Sequence, residues 1–340
     1  MQNELIDSFH RRAKKLRISV TDRCNMQCAY CMPGGNNKWF KQEETLQYDE
    51  IVRLVWIMTH MGIDRIRLTG GEPLIRPRIE DLIAALSKFS RIKKISMTSN
   101  GLLLRDKVKA LKDAGLQSMN ISLDTFNPSR FKSITGIDGL SKVLAAIKSA
   151  SDVGLEIKIN TVIVRGWNDD EVVDFANFAK ETGYQVRFIE FMPLDGSGIW
   201  SHNLVFSKNE MIYRINKEMG KLTRLGSHND DDDGNNPSSD PAVLYSFADK
   251  TGIIGFIPSI TEPFCNKCDR IRITSDGRLL TCLYENPGYD LKNLLRGMNT
   301  DEQIARYIAE CMMKKPEGII SMIRSKTLRP SLNRMHTIGG

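Results

Sequence analysis

The chain has 340 residues, 41% of them hydrophobic and 26% charged, with a net charge of +7 at pH 7. That length and composition belong to a globular protein with a sizeable core, either one α/β barrel or a barrel with a smaller appendage. No apolar run is long enough for a bilayer, Met1–Lys15 lacks the apolar centre of a secretory signal, and no long Lys/Arg run argues for nucleic acid. A soluble cytoplasmic protein with an anionic partner is expected.

In chain order, β-like runs alternate with amphipathic stretches. The runs are Leu16–Thr21, Asp64–Thr69, Lys94–Thr98, Ser118–Leu123, Glu156–Val164 and Gln185–Phe191, rich in Ile, Val, Met and Phe as buried parallel strands are. Between them, Asp49–Met61, Arg78–Phe89, Arg105–Ala114, Leu140–Val153 and Glu171–Thr182 carry helical periodicity. Gly62, Gly115, Gly154 and Gly183 are among the stop signals. Repeated strand–helix units predict a parallel sheet with right-handed crossovers. Six units rather than eight point to a partial (β/α)6 TIM-type barrel, although a doubly wound sheet fits the rhythm almost as well.

Polar residues at the ends of the runs favour the barrel. Cys24, Gly70-Gly71-Glu72-Pro73, Ser99-Asn100-Gly101, Ser122 with Asp124, and Glu190 with Met192 all fall where a barrel gathers its catalytic groups. Residues 226–241, with Asp230–Asp233 among Asn, Ser, Gly and Pro, read as a solvated flexible loop rather than a metal site. Residues 1–225 are therefore assigned to the barrel and 242–340 to a smaller α+β unit. That unit is expected to hold strands at Val243–Phe247, Ile253–Pro258 and Arg270–Thr274 and helices at Asp301–Met313 and Glu317–Lys326.

Six of the seven cysteines form two trios, and Cys311 stands alone. In a reducing compartment such clustering reads as metal binding. Cys24, Cys28 and Cys31 are spaced C-x3-C-x2-C, so three thiolates can take three corners of a [4Fe–4S] cube and leave one iron open. Structural zinc is the rival, but it wants a fourth Cys or His, and His10 and His60 are remote in sequence. Cys265, Cys268 and Cys282 form a second trio, C-x2-C-x13-C, for which zinc is a more serious rival. Arg270 and Arg272 alternate on a β-run between those cysteines, so both point to one face. Two guanidiniums there, with Arg17 ahead of the Cys24 loop, would clamp a multiply charged anion. Lys158 sits in a run rich in Ile and Val, where it needs either a charged ligand or an internal ion pair.

The spacing C-x3-C-x2-C with Tyr30 before the last cysteine resembles the radical S-adenosylmethionine (SAM) family. That resemblance implies that SAM is chelated by the open iron and cleaved to a 5′-deoxyadenosyl radical, and that Gly71 and Glu72 of the GGEP segment hold its methionyl group. By the same resemblance Tyr30, Ser122 and Met192 line the SAM pocket. The segments LRISVTDRCNMQCAYCMP, RLTGGEPL, TSNGLLL, NISLD, RFIEFM, FCNKCDRIR and the terminal IGG are similar, in that order, to those of the GTP 3′,8-cyclase family.

Membership there implies a lyase of molybdenum cofactor biosynthesis with two [4Fe–4S] clusters and GTP held between them. The ribose 3′ hydrogen would be abstracted and C3′ joined to guanine C8, giving 3′,8-cyclo-7,8-dihydro-GTP. It further implies an external electron donor and a downstream cyclic pyranopterin monophosphate synthase. Arg17, Arg67, Thr98, Lys158, Arg270 and Arg272 are then the GTP contacts, with Arg17, Arg270 and Arg272 the catalytic candidates. Gly339 and Gly340 would form a tail that enters the site. The glycine-rich stretch Gly34–Asn37 and the aspartate-rich loop depart from the family pattern without touching the cysteines. Two alternatives stay open, a peptide maturase with an auxiliary cluster and a non-catalytic zinc module. The sequence leaves the oligomeric state open, homodimer included.

Overall fold

A computed structural model of the chain describes residues 4–32, 39–194, 198–225, 241–328 and 335–339. Six parallel strands alternate with helices: β1 (Lys15–Ser19), α1 (Tyr48–Thr59), β2 (Arg65–Thr69), α2 (Ile79–Ser87), β3 (Lys94–Ser99), α3 (Val108–Asp113), β4 (Ser118–Ser122), α4 (Pro128–Thr135), α5 (Leu140–Asp152), β5 (Glu156–Ile163), α6 (Val172–Thr182) and β6 (Gln185–Glu190). After α7 (Lys208–Met219) come β7 (Thr223–Arg224), β8 (Val243–Ser246), β9 (Ile253–Ile257), β10 (Arg270–Ile273), β11 (Arg278–Leu280) and β12 (Tyr289–Asp290). Four helices close the chain: α8 (Lys292–Arg296), α9 (Asp301–Met313), α10 (Ile319–Arg324) and α11 (Met335–Ile338).

The C-terminal strands do not form a sheet of their own. All twelve strands of the described residues share one sheet, ordered β12-β11-β10-β1-β2-β3-β4-β5-β6-β9-β8-β7. β10 pairs in parallel with β1 and β9 in parallel with β6, so the six-stranded barrel gains a parallel strand at each edge. Among the described residues the sheet ends at β12 and β7 and does not close. The partial barrel expected from six units is therefore extended by residues far along the chain.

Its strands are two-faced rather than uniformly apolar. In KLRIS and RIRLT, Leu16, Ile18, Ile66 and Leu68 are buried in the hydrophobic core. Alternate positions (Lys15, Arg17, Arg65, Arg67, Thr69) face inward to a chamber. The sheet–helix layer thus carries the core while the inner wall stays polar.

Four helices, α4, α7, α8 and α11, were not foreseen, and the two longest, α4 and α7, carried start signals. Asn127 caps α4 by accepting from the Arg130 N–H, with Pro128 in the first turn; Ser207 and Glu210 make a reciprocal capping box for α7. The segment of α3 is shorter than its apolar pattern suggested. The Asp230–Asp233 loop and Gly34–Asn37 lie outside the described residues. No helix among the described residues is long and apolar enough to cross a membrane.

Candidate active site

One chamber of about 1010 Å³ opens inside the barrel, and Cys24, Cys28, Cys31 and Cys268 all line it. The first trio sits on the loop after β1, where parallel strands deliver their C-terminal ends. The Met26 N–H and the Asn100 side chain approach the Cys24 sulfur at 3.5 and 3.8 Å, and the His336 backbone N–H reaches Cys31. Burial pushes the Cys24 thiol up to about 11. It pushes Cys31 up to about 12, with Cys24 adding to the effect. Cys28 is raised by burial and then by Cys31, Asp124 and Cys24. Three free thiols packed where negative charge is costly need a cationic centre to ionise. Among the described residues no three His, Cys, Asp or Glu side chains are arranged to hold a single metal ion. A cube makes a different demand, because each thiolate takes its own iron. The donor set fits the cluster.

The second trio is built from the 3-10 turn Cys265–Lys267, which Cys268 closes, and from Cys282, which follows β11. Burial pushes the Cys268 thiol up, but Arg270 and Lys315 pull it further, down to about 7. Cys282 is raised by burial and feels both Cys268 and Cys265. Of these three only Cys268 touches the chamber. His10 lines the chamber, whereas His60 stacks on Trp56 at the end of α1, 4.4 Å between ring centres.

Strand register brings the arginines together. Arg17 stands beside Arg272 on β10 and beside Arg67 on β2, three neighbours across three adjacent strands. Burial depresses the Arg17 guanidinium well below its ordinary value, and Arg272, Arg67 and Arg270 depress it further. Arg272 is brought down to about 10 by burial and then by Arg270. Arg270 also stacks on the Phe264 ring, 4.6 Å from its centre. Thr98 and Lys158 line the same chamber. Lys158 is not alone: Glu156 holds it at 2.6 Å and holds Lys94 at 2.5 Å. Sequence reasoning passed over Arg65 and Arg187, which also line the chamber. Their signal was present, since Arg187 is a charged residue inside a core strand and Arg65 repeats two positions before Arg67.

The same chamber is also lined by Gly71, Tyr30, Ser122 and Met192. A Cβ on Gly71 would run into the Arg23 carbonyl, so this crossing admits only glycine. Tyr30 donates to Asp124 at 2.5 Å. The Glu72 carboxylate, expected to hold SAM's amino group, does not line the chamber. It is fully buried and accepts from the Ser99 hydroxyl (2.9 Å) and the N–H groups of Asn100 (2.7 Å) and Leu74 (3.0 Å). It thereby fixes the turn that presents Asn100 to Cys24.

Burial pushes Glu72 up to about 7 against those three donors. Its folded value lies above its unfolded one, so the folded protein holds the extra proton between about pH 4.5 and 7 and stability falls as pH rises through that window. Glu72→Gln is expected to flatten the fall by up to about 3 kcal/mol. Thermal melts of both proteins from pH 5 to 8 check this, and parallel curves would contradict it.

The tail reaches the chamber as well. Met335 and His336 line it, and Arg272 donates to the carbonyls of Ile338 (3.2 Å) and Gly339. Gly339 has φ +78° and lies against the Thr69 methyl, leaving no space for a side chain. Gly340 lies outside the described residues.

Residues 18–179 match the Radical SAM superfamily and residues 184–320 match Molybdenum Cofactor Synthesis C. The chain is 39% identical over 336 residues to the GTP 3′,8-cyclase of Thermodesulfovibrio yellowstonii, covering 98% of this chain and 99% of that one. It is 37% identical over 340 residues to the GTP 3′,8-cyclase of Rhodopirellula baltica, covering 99% and 92%. The fold is similar to that of Streptococcus suis SuiB bound to S-adenosylmethionine, with a TM-score of 0.59 over 95% of this chain and 76% of that one. At 16% identity that likeness concerns the fold alone. Membership in the superfamily brings SAM and a [4Fe–4S] cluster as cofactors. The chain belongs to the GTP 3′,8-cyclase family of radical SAM enzymes.

Proposed function

We propose that this chain converts GTP to 3′,8-cyclo-7,8-dihydro-GTP, the first step of molybdenum cofactor biosynthesis. The observation that carries the reading is the row Arg67–Arg17–Arg272, the first two half-buried and the third buried, with Arg270 beside it, facing a chamber that both cysteine trios touch. Guanidiniums packed side by side at such density repel one another, a cost that a polyanion such as a nucleoside triphosphate relieves. Cys24, Cys28 and Cys31 would hold the first cluster; Cys265, Cys268 and Cys282 would hold a second [4Fe–4S] cluster. Bound there, SAM and the first cluster supply hydrogen-atom abstraction at the ribose C3′.

The chain's own residues bind and orient. Gly71, Tyr30, Ser122 and Met192 form the SAM wall, and Glu72 acts on it through the Asn100 turn. Arg17, Arg67, Arg270 and Arg272 grip the nucleotide, with Thr98, Lys158, Arg65 and Arg187 completing the polar wall. In this reading the barrel of residues 1–225 houses SAM, and residues 242–340 supply the second cluster and half of the arginine clamp. The product passes to a cyclic pyranopterin monophosphate synthase, and the electron comes from an external donor. The peptide-maturase alternative calls for no arginine clamp, and the row Arg67–Arg17–Arg272 argues against it.

The test is an anaerobic assay with GTP, SAM and dithionite. Stoichiometric 5′-deoxyadenosine and cyclised nucleotide, with about eight irons per chain, are expected. Deoxyadenosine without any GTP-derived product would refute the substrate.

A further inference from the structure

Outside the chamber, the short segment after α9 wraps the second cysteine trio. Lys315 is 2% exposed. Its ammonium donates to the Arg270 carbonyl at 2.9 Å and the Cys268 carbonyl at 3.3 Å, and lies 3.7 Å from the Cys268 sulfur. An ammonium has three donors, and these acceptors engage all of them. None of the three is a carboxylate. The nearby Asp269 pairs instead with Lys15, at 3.3 Å.

Three residues on, Gly318 has φ +109°, and a Cβ there would come within 2.7 Å of the Cys265 sulfur. Arg11, held by Asp7 at 2.5 Å, locks this segment to the trio. It donates to the carbonyls of Cys265 (2.9 Å), Pro316 (2.7 Å) and Glu317 (3.0 Å). A buried lysine could serve merely to staple two loops. The sulfur contact, with no carboxylate paired to Lys315 among the described residues, is what a staple does not need.

We propose that Lys315 is a positioning and tuning residue for the second cluster, placing a fixed positive charge and an N–H donor on its Cys268 ligand. The assignment rests on the second cluster of the proposed function. Hydrogen bonds to the sulfurs and local net charge set the potential of an iron–sulfur centre. A cube with three thiolates becomes more negative by one charge on one-electron reduction, so an adjacent cation stabilises the reduced form more. Lys315 therefore raises the midpoint potential of the second cluster. Its bond to the Arg270 carbonyl ties that cluster to the strand carrying the clamp.

The experiment uses the full-length chain with Cys24→Ala, Cys28→Ala and Cys31→Ala, so that any iron reports on the second trio. Iron content and an EPR-monitored redox titration are measured with Lys315 intact and as Lys315→Met, Lys315→Gln and Lys315→Arg. With Lys315 intact, about four irons per chain are expected. In Lys315→Met and Lys315→Gln the potential should fall by about 59 mV or more, a tenfold change in a one-electron equilibrium. Lys315→Arg should recover most of the shift.

If Lys315→Met loses its iron, restoration by Lys315→Arg supports the proposal and failure to restore overturns it. A loaded Lys315→Met or Lys315→Gln chain with unchanged potential also overturns it, leaving the second cluster standing. Absence of iron with Lys315 intact overturns the second cluster and this assignment together.

Discussion

Cys24→Ala is expected to reduce 5′-deoxyadenosine formation to background, a fall of more than about 100-fold. Removing an outer partner of a metal ligand already costs 10–100-fold, and this substitution removes a ligand. The Cys24 sulfur is set by the Met26 N–H and by Asn100, which is itself fixed to Asn25 at 2.7 Å and to Glu72 through its backbone. No other thiol replaces it, because Cys311, the only cysteine outside the trios, is buried in the core. Cys282→Ala is expected to behave differently. It keeps SAM cleavage and the first cluster's iron but loses the cyclised nucleotide. Measuring deoxyadenosine, nucleotide product and iron on both variants separates the two trios. Unimpaired deoxyadenosine formation by Cys24→Ala, or full cyclisation by Cys282→Ala, would contradict the division of labour.

Arg17→Met is expected to weaken GTP binding by about 10–100-fold while making the ligand-free protein more stable. The first effect is the loss of a charge-assisted contact worth about 1.5–3 kcal/mol. The second follows from the cost of the site at rest. Arg17 is half-buried between Arg272 and Arg67, and Arg272, Arg67 and Arg270 together disfavour its cation while Cys268 favours it. Replacing a poorly compensated buried charge with an apolar side chain of similar length gains about 1–4 kcal/mol. The melting temperature without nucleotide should rise, and the increment on adding GTP should shrink. Calorimetry of binding and thermal melts of both proteins check the pair of effects. Unchanged GTP affinity would remove Arg17 from the clamp, and a lower melting temperature would show that its charge is compensated in the resting protein.

Both predictions depend on features that differ in how far the linear sequence reveals them. The radical SAM motif was legible because Cys24, Cys28 and Cys31 fall on one short loop, and such spacing survives in one dimension. The six βα units were legible because burial against helices forces Leu16, Ile18, Ile66 and Leu68 into period two. The same period held the inward residues, and Arg65 and Arg187 were missed because the runs were read as buried on both faces. Helices α4 and α7 were overlooked despite their caps, since Lys208–Met219 is polar overall and Pro128–Thr135 spans little more than two turns.

By itself, then, the sequence determined the βα rhythm, the radical SAM family and the SAM and [4Fe–4S] chemistry that comes with it. The tertiary structure alone decided that β10 lies against β1, bringing Arg272 beside Arg17 across more than 250 residues of chain. It also decided that Glu72 is spent beneath the chamber and that Arg11 and Lys315 close around the second trio. The reason is physical. Local spacing encodes what one segment can bury or ligate, whereas the pairing of distant edges is set by competition among all the strands for hydrogen-bond partners and cover.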